Sequence, residues 1–299
     1  MNDADWVSHL GLNPFIAENS VLLVGRDGAS PTKAVGSGMF VAPRLIITVK
    51  HVIREFWKIF EDRDIGELEE IKKKVPGFEI YAAQRPGGGV ATAIWAASKV
   101  DFCPYSDLAV ISVVPVDDLA KAYTFSFLPR LHILPPPKGT KVVAFGFADT
   151  SVQAETDNQV KFRLQPRVSW GLVTDVFPVS RDSVMLPFPS FEFGAQVIGG
   201  MSGGPILNEE SEVCGLICSG YDDVPVASGV ALWPMLGIPI KHRGPGVTGD
   251  GKYPMVLLAK AGLMFVKGWE QVNENVEEFG ERCVKCSLVV GRILLFKTE

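Results

Sequence analysis

Ser202 lies among four glycines, in Gly199-Gly200-Met201-Ser202-Gly203-Gly204-Pro205. Four glycines and a proline favour neither a regular helix nor a regular strand, so this stretch is predicted to form a tight turn. Glycines in such a turn let the backbone come close to a substrate and let two N–H groups point at one position. An acyl-transfer reaction needs such donors for its oxyanion, and Ser202 is therefore the candidate nucleophile.

A serine nucleophile needs a base, and the chain has four histidines that could accept its proton. His51 directly follows 45–50, an apolar strand-like run, and lies where that strand gives way to a polar, helix-like sequence. A histidine at the end of a strand faces a cleft more easily than one in the middle of a core. The other three, interpreted as structural or surface residues, are His9, His132 and His242.

The base in turn needs a carboxylate that fixes its tautomer and stabilises the imidazolium. Asp107 directly precedes 108–113, an apolar strand-like run, so it is an acid at the entrance to a buried element. Asp101 is the nearby alternative, but no strand follows it directly.

The elements that must position these residues are mostly short strands, separated by turns that contain Gly and Pro. Strands are predicted at 21–24, 39–41, 45–48, 78–81, 90–95, 108–113, 141–147, 168–176, 183–186, 205–207 and 213–219. Gly36-Ser37-Gly38 is predicted to be a turn, and the charged segment 52–74 to be a helical insertion. Spacings of three and four between apolar residues from Trp269 to Cys286 predict a C-terminal helix.

Three motifs together resemble those of trypsin-like serine peptidases. The segment from Gly36 to Val52 is similar to their histidine motif, Ser106-Asp107-Leu108-Ala109-Val110 to their aspartate motif, and 200–205 to their nucleophile motif. The order His, Asp, Ser is the same, and the similarity is greatest to bacterial HtrA-like protease domains without a PDZ domain. The resemblance implies a serine endopeptidase with His51, Asp107 and Ser202 as its triad, which needs no metal and no cofactor and acts on a polypeptide substrate.

The resemblance also implies a fold and a domain organisation. The fold would be all-β, with two Greek-key six-stranded barrels, a helical insertion and a C-terminal helix. The first barrel, which carries His and Asp, is expected at 1–135, the second, which carries Ser, at 136–265, and a helical extension at 266–299.

Further site residues follow from the same resemblance. The backbone N–H groups of Gly200 and Ser202 would form the oxyanion hole, and Gln196 would lie near the base of the primary specificity pocket. Cys218, Ser219 and Gly220 would line the substrate strand, which pairs with the substrate backbone. Because Gln196, Val197 and Ile198 supply no charge, a neutral and small or apolar P1 residue is expected.

This chain differs from the family pattern at two positions. Met201 replaces the aspartate that pairs with a newly cut N-terminus in digestive members, so the oxyanion loop must be ordered in another way. Cys218 replaces a serine that supports the catalytic aspartate in many members, which is expected to weaken the triad slightly.

Composition narrows the function classes. The chain has 299 residues and a net charge of −5, with no basic stripe, which argues against nucleic acid as the main partner. Because no apolar run is long enough to span a bilayer and the N-terminus does not read as a secretory signal, a cytoplasmic protein without membrane contact is expected. Cys283 and Cys286 form a lone C-x-x-C without a second pair, which is interpreted as two reduced thiols rather than a metal site.

Two other functions compete with a constitutively active peptidase. The sequence around Ser202 also fits the G-x-S-x-G motif of an α/β-hydrolase, but that fold needs a helix directly after the serine and a later histidine. The other alternative is a catalytically idle or partner-activated barrel that acts as a protein-binding module. A partner could then dock on the helical insertion or on the C-terminal helix, which could also mediate self-association.

Overall fold

The computed structural model describes residues 14–27, 33–56, 68, 72, 77–88, 91–148, 150, 152–156, 159–162, 164–221, 224–240 and 253–268. These residues form two antiparallel six-stranded β-barrels, which confirms the predicted all-β fold class. The predicted C-terminal helix lies outside the described residues from 269 onwards. Of the predicted insertion at 52–74, the structure describes the first turns together with Leu68 and Lys72, both helical, and the rest lies outside the described residues.

The first barrel closes in the order β1-β2-β3-β6-β5-β4. Helix α1 (Pro14–Asn19) precedes it, helix α2 (Lys50–Phe56) follows β3 directly, and helix α3 (Asp118–Ala122) follows β6. Its strands are β1 (Ser20–Asp27), β2 (Lys33–Ala42), β3 (Leu45–Val49), β4 (Phe78–Gln84), β5 (Ala93–Phe102) and β6 (Leu108–Pro115). A 3₁₀ turn at Pro86–Gly88 joins β4 to the segment before β5.

The second barrel closes in the order β8-β11-β12-β15-β14-β13, because β13 pairs with both β14 and β8. Its strands are β8 (Lys141–Phe147), β11 (Pro166–Phe177), β12 (Ser190–Phe193), β13 (Pro205–Leu207), β14 (Val213–Tyr221) and β15 (Val224–Val230). Strands β7 (Arg130–His132) and β18 (Phe265–Lys267) extend its sheet in parallel beside β14.

The remaining elements lie outside the two barrels. Strands β9 (Val152–Thr156) and β10 (Gln159–Phe162) form a hairpin, and β16 (Pro239–Ile240) pairs with β17 (Tyr253–Pro254). A 3₁₀ helix spans Trp233–Gly237, and helix α4 spans Val256–Lys260. None of the described helices is long and apolar enough to cross a membrane.

Large aromatic side chains fill both barrels, because closing a sheet leaves an interior that side chains must occupy. In the first barrel, the rings of Phe40 and Trp95 meet edge to face with their centroids 5.4 Å apart. The indole N–H of Trp95 donates to Gln84 Oε1 at 2.9 Å, so burial leaves this donor satisfied. Phe191 and Phe193 occupy the core of the second barrel and are fully buried.

Two predictions about strands were wrong. Gly36-Ser37-Gly38 is not a turn but the middle of β2, where glycines allow close contacts across the strand. The predicted strand at 183–186 is a loop, and the strand that follows starts at Ser190. Asp182 explains the loop, since its Oδ1 accepts the N–H groups of Val184 and Met185 at 2.8 and 2.5 Å and closes a local turn.

The second barrel requires glycine at position 171, which gives a test of its packing. A Cβ at Gly171 would lie 2.2 Å from the carbonyl oxygen of Gly194, whereas a Cβ at Gly194 would meet nothing closer than 3.9 Å. We expect Gly171→Ala to lower the free energy of unfolding by about 1–3 kcal/mol, because backbone must move to admit the methyl group. Gly194→Ala is the matched control and should change it by less than about 0.5 kcal/mol, as measured by urea denaturation. Equal effects of the two variants would contradict this packing.

Candidate active site

His51 and Asp107 meet because their strands are neighbours. Strand β3 ends at Val49, strand β6 begins at Leu108, and these two residues are paired in the antiparallel ladder. Just beyond the ladder, the N–H of Lys50 donates to the carbonyl of Asp107 at 2.9 Å. The pairing of two buried strands therefore brings a histidine and an aspartate together that are far apart in sequence.

The two side chains are bound to each other directly. His51 Nδ1 lies 2.6 Å from Asp107 Oδ2, and the backbone N–H of His51 donates to Asp107 Oδ1 at 3.1 Å. An ionised carboxylate only accepts hydrogen bonds, so this contact assigns the proton to Nδ1 and leaves Nε2 as the basic nitrogen. The imidazole is 44% exposed and the carboxylate 12%, so the base faces solvent while its partner is enclosed.

Ser202 follows a turn that only glycine can form. The N–H of Met201 donates to the carbonyl of Ile198 at 3.1 Å, and Gly200, in the third position of this turn, has a φ of +91°. A positive φ at that position is typical of a type II turn. A Cβ at Gly200 would also lie 2.6 Å from the carbonyl oxygen of Phe147.

The N–H groups of Met201, Gly203 and Gly204 are bonded within the protein, whereas among the described residues those of Gly200 and Ser202 are not. The N–H of Gly203 donates to Ile217 at 2.8 Å and the N–H of Gly204 to Met201 at 2.9 Å. Within the described part of the chain, the N–H groups of Gly200 and Ser202 donate to no acceptor. These are the two donors that the resemblance assigned to an oxyanion hole.

The glycines after Ser202 serve packing within the protein. Gly203 has a φ of +83°, and a Cβ there would lie 2.2 Å from both the carbonyl oxygen of Ser37 and Thr48 Oγ1. A Cβ at Gly204 would lie 2.1 Å from the carbonyl oxygen of Phe145. The loop therefore packs closely against both barrels. Glycine is needed at these two positions for packing within the protein, and not for the close approach of a substrate that the sequence suggested.

Ser37, on strand β2, connects the nucleophile loop to the first barrel. Its N–H donates to the carbonyl of Ser202, and its hydroxyl donates to the carbonyl of Gly200, both at 2.8 Å. The same hydroxyl accepts the N–H of Phe147 at 2.8 Å, while the Ser37 carbonyl accepts the hydroxyl of Thr48 at 2.7 Å. One fully buried residue therefore uses all its polar groups to hold this loop against strands of both barrels.

The side chain of Met201 fixes the nucleophile loop to the second barrel. Its side chain is 1% exposed and belongs to the apolar core of the second barrel. A Cβ at Gly146 would lie 2.8 Å from Met201 Cα, so strand β8 packs directly under this residue. An apolar anchor thus occupies the position at which digestive relatives carry an ion-pairing aspartate.

Cys218 reaches Asp107 from the second barrel. Its Sγ lies 3.3 Å from Asp107 Oδ2, in the donor position that the resemblance gave to a serine. Burial, followed by the negative charge of Asp107, raises the pKa of the Cys218 thiol well above its ordinary value. His51, Asp107 and Cys218 are also close enough together to bind a metal ion, which would have to displace the proton of this thiol.

The predicted specificity residues lie on two segments that touch. Gln196 and Gly220 are exposed, Ser219 is half-buried, and Val197 is 5% exposed. A Cβ at Gly220 would lie 2.2 Å from Val197 Cγ2. The side chain of Val197 therefore fills the space between its own segment and strand β14.

Sequence reasoning missed Ser37 and Thr48 as residues that position the site, and it used Val197 only for its lack of charge. The sequence offered one signal for Ser37, a serine flanked by glycines inside the histidine motif, which was interpreted as a turn.

Among the alternative residues, Asp101 lies in β5 and pairs with Lys99 at 2.5 Å, and His132 Nδ1 lies 3.2 Å from the carbonyl of Leu134. His9 and His242 lie outside the described residues.

Comparisons with known proteins identify the family of this chain. A family model described as a trypsin-like peptidase domain matches residues 36–216. No curated protein matches the chain.

Several solved structures are similar to this chain. The structure of Deg5 is similar, with a TM-score of 0.53 and 13% identity over 77% of this chain and 91% of that chain. For the protease domain of MamO from Magnetospirillum magneticum, the TM-score is 0.46 and the identity 18%, over 73% of this chain and 93% of that chain. For an inactive form of the Rv3671c protease, the TM-score is 0.44 and the identity 15%, over 77% of this chain and 90% of that chain. At these identities the likeness to Deg5 concerns the fold alone.

The role of Ser37 can be tested without an activity assay. We expect Ser37→Ala to lower the free energy of unfolding by about 1–3 kcal/mol, because the Gly200 carbonyl and the Phe147 N–H lose their partner. Ser190→Ala is the matched control: Ser190 is also fully buried in the second barrel, but its hydroxyl has no partner in the described structure. Removing an unpaired buried hydroxyl should be neutral or stabilising. A neutral Ser37→Ala variant would show that the two barrels do not depend on this contact.

Proposed function

Because the chain belongs to the trypsin-like peptidase family, we propose that it is a serine endopeptidase that cleaves polypeptides through an acyl-enzyme. Ser202 is the nucleophile, His51 the general base and acid, and Asp107 the carboxylate that orients His51. The N–H groups of Gly200 and Ser202 bind the oxyanion.

The proposed reaction has two stages. Ser202 Oγ attacks the peptide carbonyl while His51 Nε2 takes its proton, and the resulting imidazolium protonates the leaving amine as the C–N bond breaks. Water then attacks the ester, His51 takes its proton, and Ser202 leaves with the proton returned. No metal or cofactor has a role in these steps.

The observation that carries the proposal is the arrangement of hydrogen bonds around Ser202. The N–H groups of Met201, Gly203 and Gly204 form internal bonds, whereas those of Gly200 and Ser202 donate to no acceptor among the described residues. Gly203 is bonded to Ile217, the residue before Cys218, and Cys218 contacts Asp107. Preorganised donors of this kind stabilise developing charge without reorganisation at the moment of reaction.

The substrate class follows from the two touching segments. We propose that the substrate backbone pairs with the Cys218–Gly220 segment and that its P1 side chain points towards Val197. Because Val197 fills this space and Gln196 is the nearest polar side chain along its segment, the P1 residue should be small and uncharged.

A fluorophosphonate probe tests the proposed nucleophile. The purified protein should gain one adduct by intact mass, and Ser202→Ala should gain none. Ser98→Ala, which changes an exposed serine in the first barrel, is the matched control and should keep the adduct. His51→Ala should slow labelling by about 10²–10⁴-fold, because the base no longer removes the serine proton.

Each outcome of this experiment assigns a state to the site. Labelling that persists in Ser202→Ala would place the reactive serine elsewhere and end the proposal. Absence of any adduct on folded protein would favour the alternative, an idle or partner-activated binding module, and make an activating partner the next target.

Val197 supplies the test of specificity. On a peptide library, kcat/KM should be highest for Gly, Ala or Ser at P1 and low for Phe and Lys. Val197→Ala should raise kcat/KM for Val or Leu at P1 relative to Ala by roughly 10-fold, because methylene-sized space is worth that much discrimination. Val168→Ala, which changes an exposed valine on β11, should leave the ratio unchanged. A wild-type preference for large P1 residues would refute the assignment of Val197.

A further inference from the structure

A cavity of about 440 Å³ lies behind the catalytic carboxylate. The loop before strand β6 forms one wall, helix α2 the second, and the loop before β12 the third. The side chains that matter for its chemistry are Lys50, Arg54, Tyr105, Ser106, Asp107 and Phe188. Its volume is within the range of pockets that hold small organic ligands.

Two cations line the helical wall. Lys50 and Arg54 are one turn apart on α2, so their side chains project from the same face of the helix. Arg54 is exposed, and its guanidinium forms no ion pair with any residue that the structure describes. The wall therefore presents positive charge to the cavity.

Asp107 forms no ion pair with these cations, because its oxygens are engaged by other donors. Oδ2 accepts from His51 Nδ1 and from Cys218, and Oδ1 accepts the backbone N–H of His51. The two positive charges of Lys50 and Arg54 outnumber the single negative charge of Asp107, so the lining residues carry one net positive charge. Such a lining favours a monoanion over a phosphate dianion.

The third wall and the tip of the loop before β6 add apolar surface to the lining. Phe188 is 9% exposed, and two prolines stand beside the aromatic residues. The loop that carries Phe188 is braced by Arg181, whose Nη1 lies 2.7 Å from Glu192 and whose N–H donates to the carbonyl of Leu186 at 3.0 Å. An aromatic wall that is rigid before binding costs a ligand little ordering free energy.

Ser106 adds a second, independent observation. It is 4% exposed, and its hydroxyl has no hydrogen-bond partner among the described residues, although it lines the cavity. A buried hydroxyl without a partner destabilises the folded protein, and a ligand oxygen that accepts from it would remove that cost.

We propose that this cavity binds a carboxylate with an apolar or aromatic body, as offered by the C-terminal residue of a polypeptide or by a free organic acid. The carboxylate pairs with Arg54 and Lys50, and the body packs between Tyr105 and Phe188. The bound ligand would share a wall with Asp107 and so lie next to the proposed triad. This binding does not require that the protein be catalytically active.

The test uses two probes of equal size, N-acetyl-phenylalanine and N-acetyl-phenylalanine amide, titrated into the full-length protein by calorimetry. The acid should bind at least tenfold more tightly than the amide. Arg54→Ala and Lys50→Met should each remove most of this difference, whereas Lys138→Met, which changes an exposed lysine outside the cavity, should not. Raising the salt concentration should narrow the difference, because the contact is electrostatic and partly exposed.

Equal binding of acid and amide would overturn the proposal, as would an equal loss in Lys138→Met. A tetrapeptide that ends in phenylalanine identifies the source of the carboxylate: binding as tight as the short acid indicates a polypeptide chain end, and loss of binding indicates a small organic acid. Because affinity is measured directly, an inactive protein that binds the acid would refute the peptidase proposal alone.

Discussion

The hydrogen bonds of Ser37 hold together the parts of this molecule that the proposed chemistry needs. His51 and Asp107 belong to the first barrel and Ser202 to the second, so their relative position depends on how the barrels meet. Ser37 lies on β2 of the first barrel and binds the carbonyls of Gly200 and Ser202 and the N–H of Phe147. A buried polar residue with every group satisfied specifies one arrangement, because any shift of the barrels leaves several groups unpaired.

The same contact explains the glycines on both sides of it. Gly203 meets Ser37 and Thr48 at distances that leave no room for a Cβ, and Gly36 approaches Val52 and the carbonyl of Ser202. Glycine is therefore required on both sides of the contact between Ser37 and the nucleophile loop. Met201 completes the arrangement by burying its side chain in the second barrel. The hydrogen bonds of Ser37 and the packing of Met201 therefore order the loop without the ion pair that digestive relatives use.

Asp107 is the residue at which the two barrels and the cavity converge. His51 binds it from the first barrel, and Cys218 from the second. A thiol is a weaker donor than a hydroxyl, so Asp107 depends more on its contacts with the first barrel than it would beside a serine. The cavity lies against the same carboxylate and shares Lys50 with it, through the N–H that donates to the Asp107 carbonyl.

The sequence alone determined the fold class and the candidate residues, since both are written in local patterns. Short apolar runs between turn residues predicted strands such as 45–48 and 108–113, and the motifs around them singled out His51, Asp107 and Ser202. The errors arose where specific contacts, one with distant residues and one with a neighbouring side chain, override the preference that composition indicates. Gly36-Ser37-Gly38 has the composition of a turn but forms a strand, and 183–186 has the composition of a strand but is closed into a loop by Asp182.

Only the tertiary structure decided that Ser37 binds residues more than 100 positions away and that Val197 contacts Gly220. Closing two barrels against each other creates these contacts, and no periodicity along the chain encodes them.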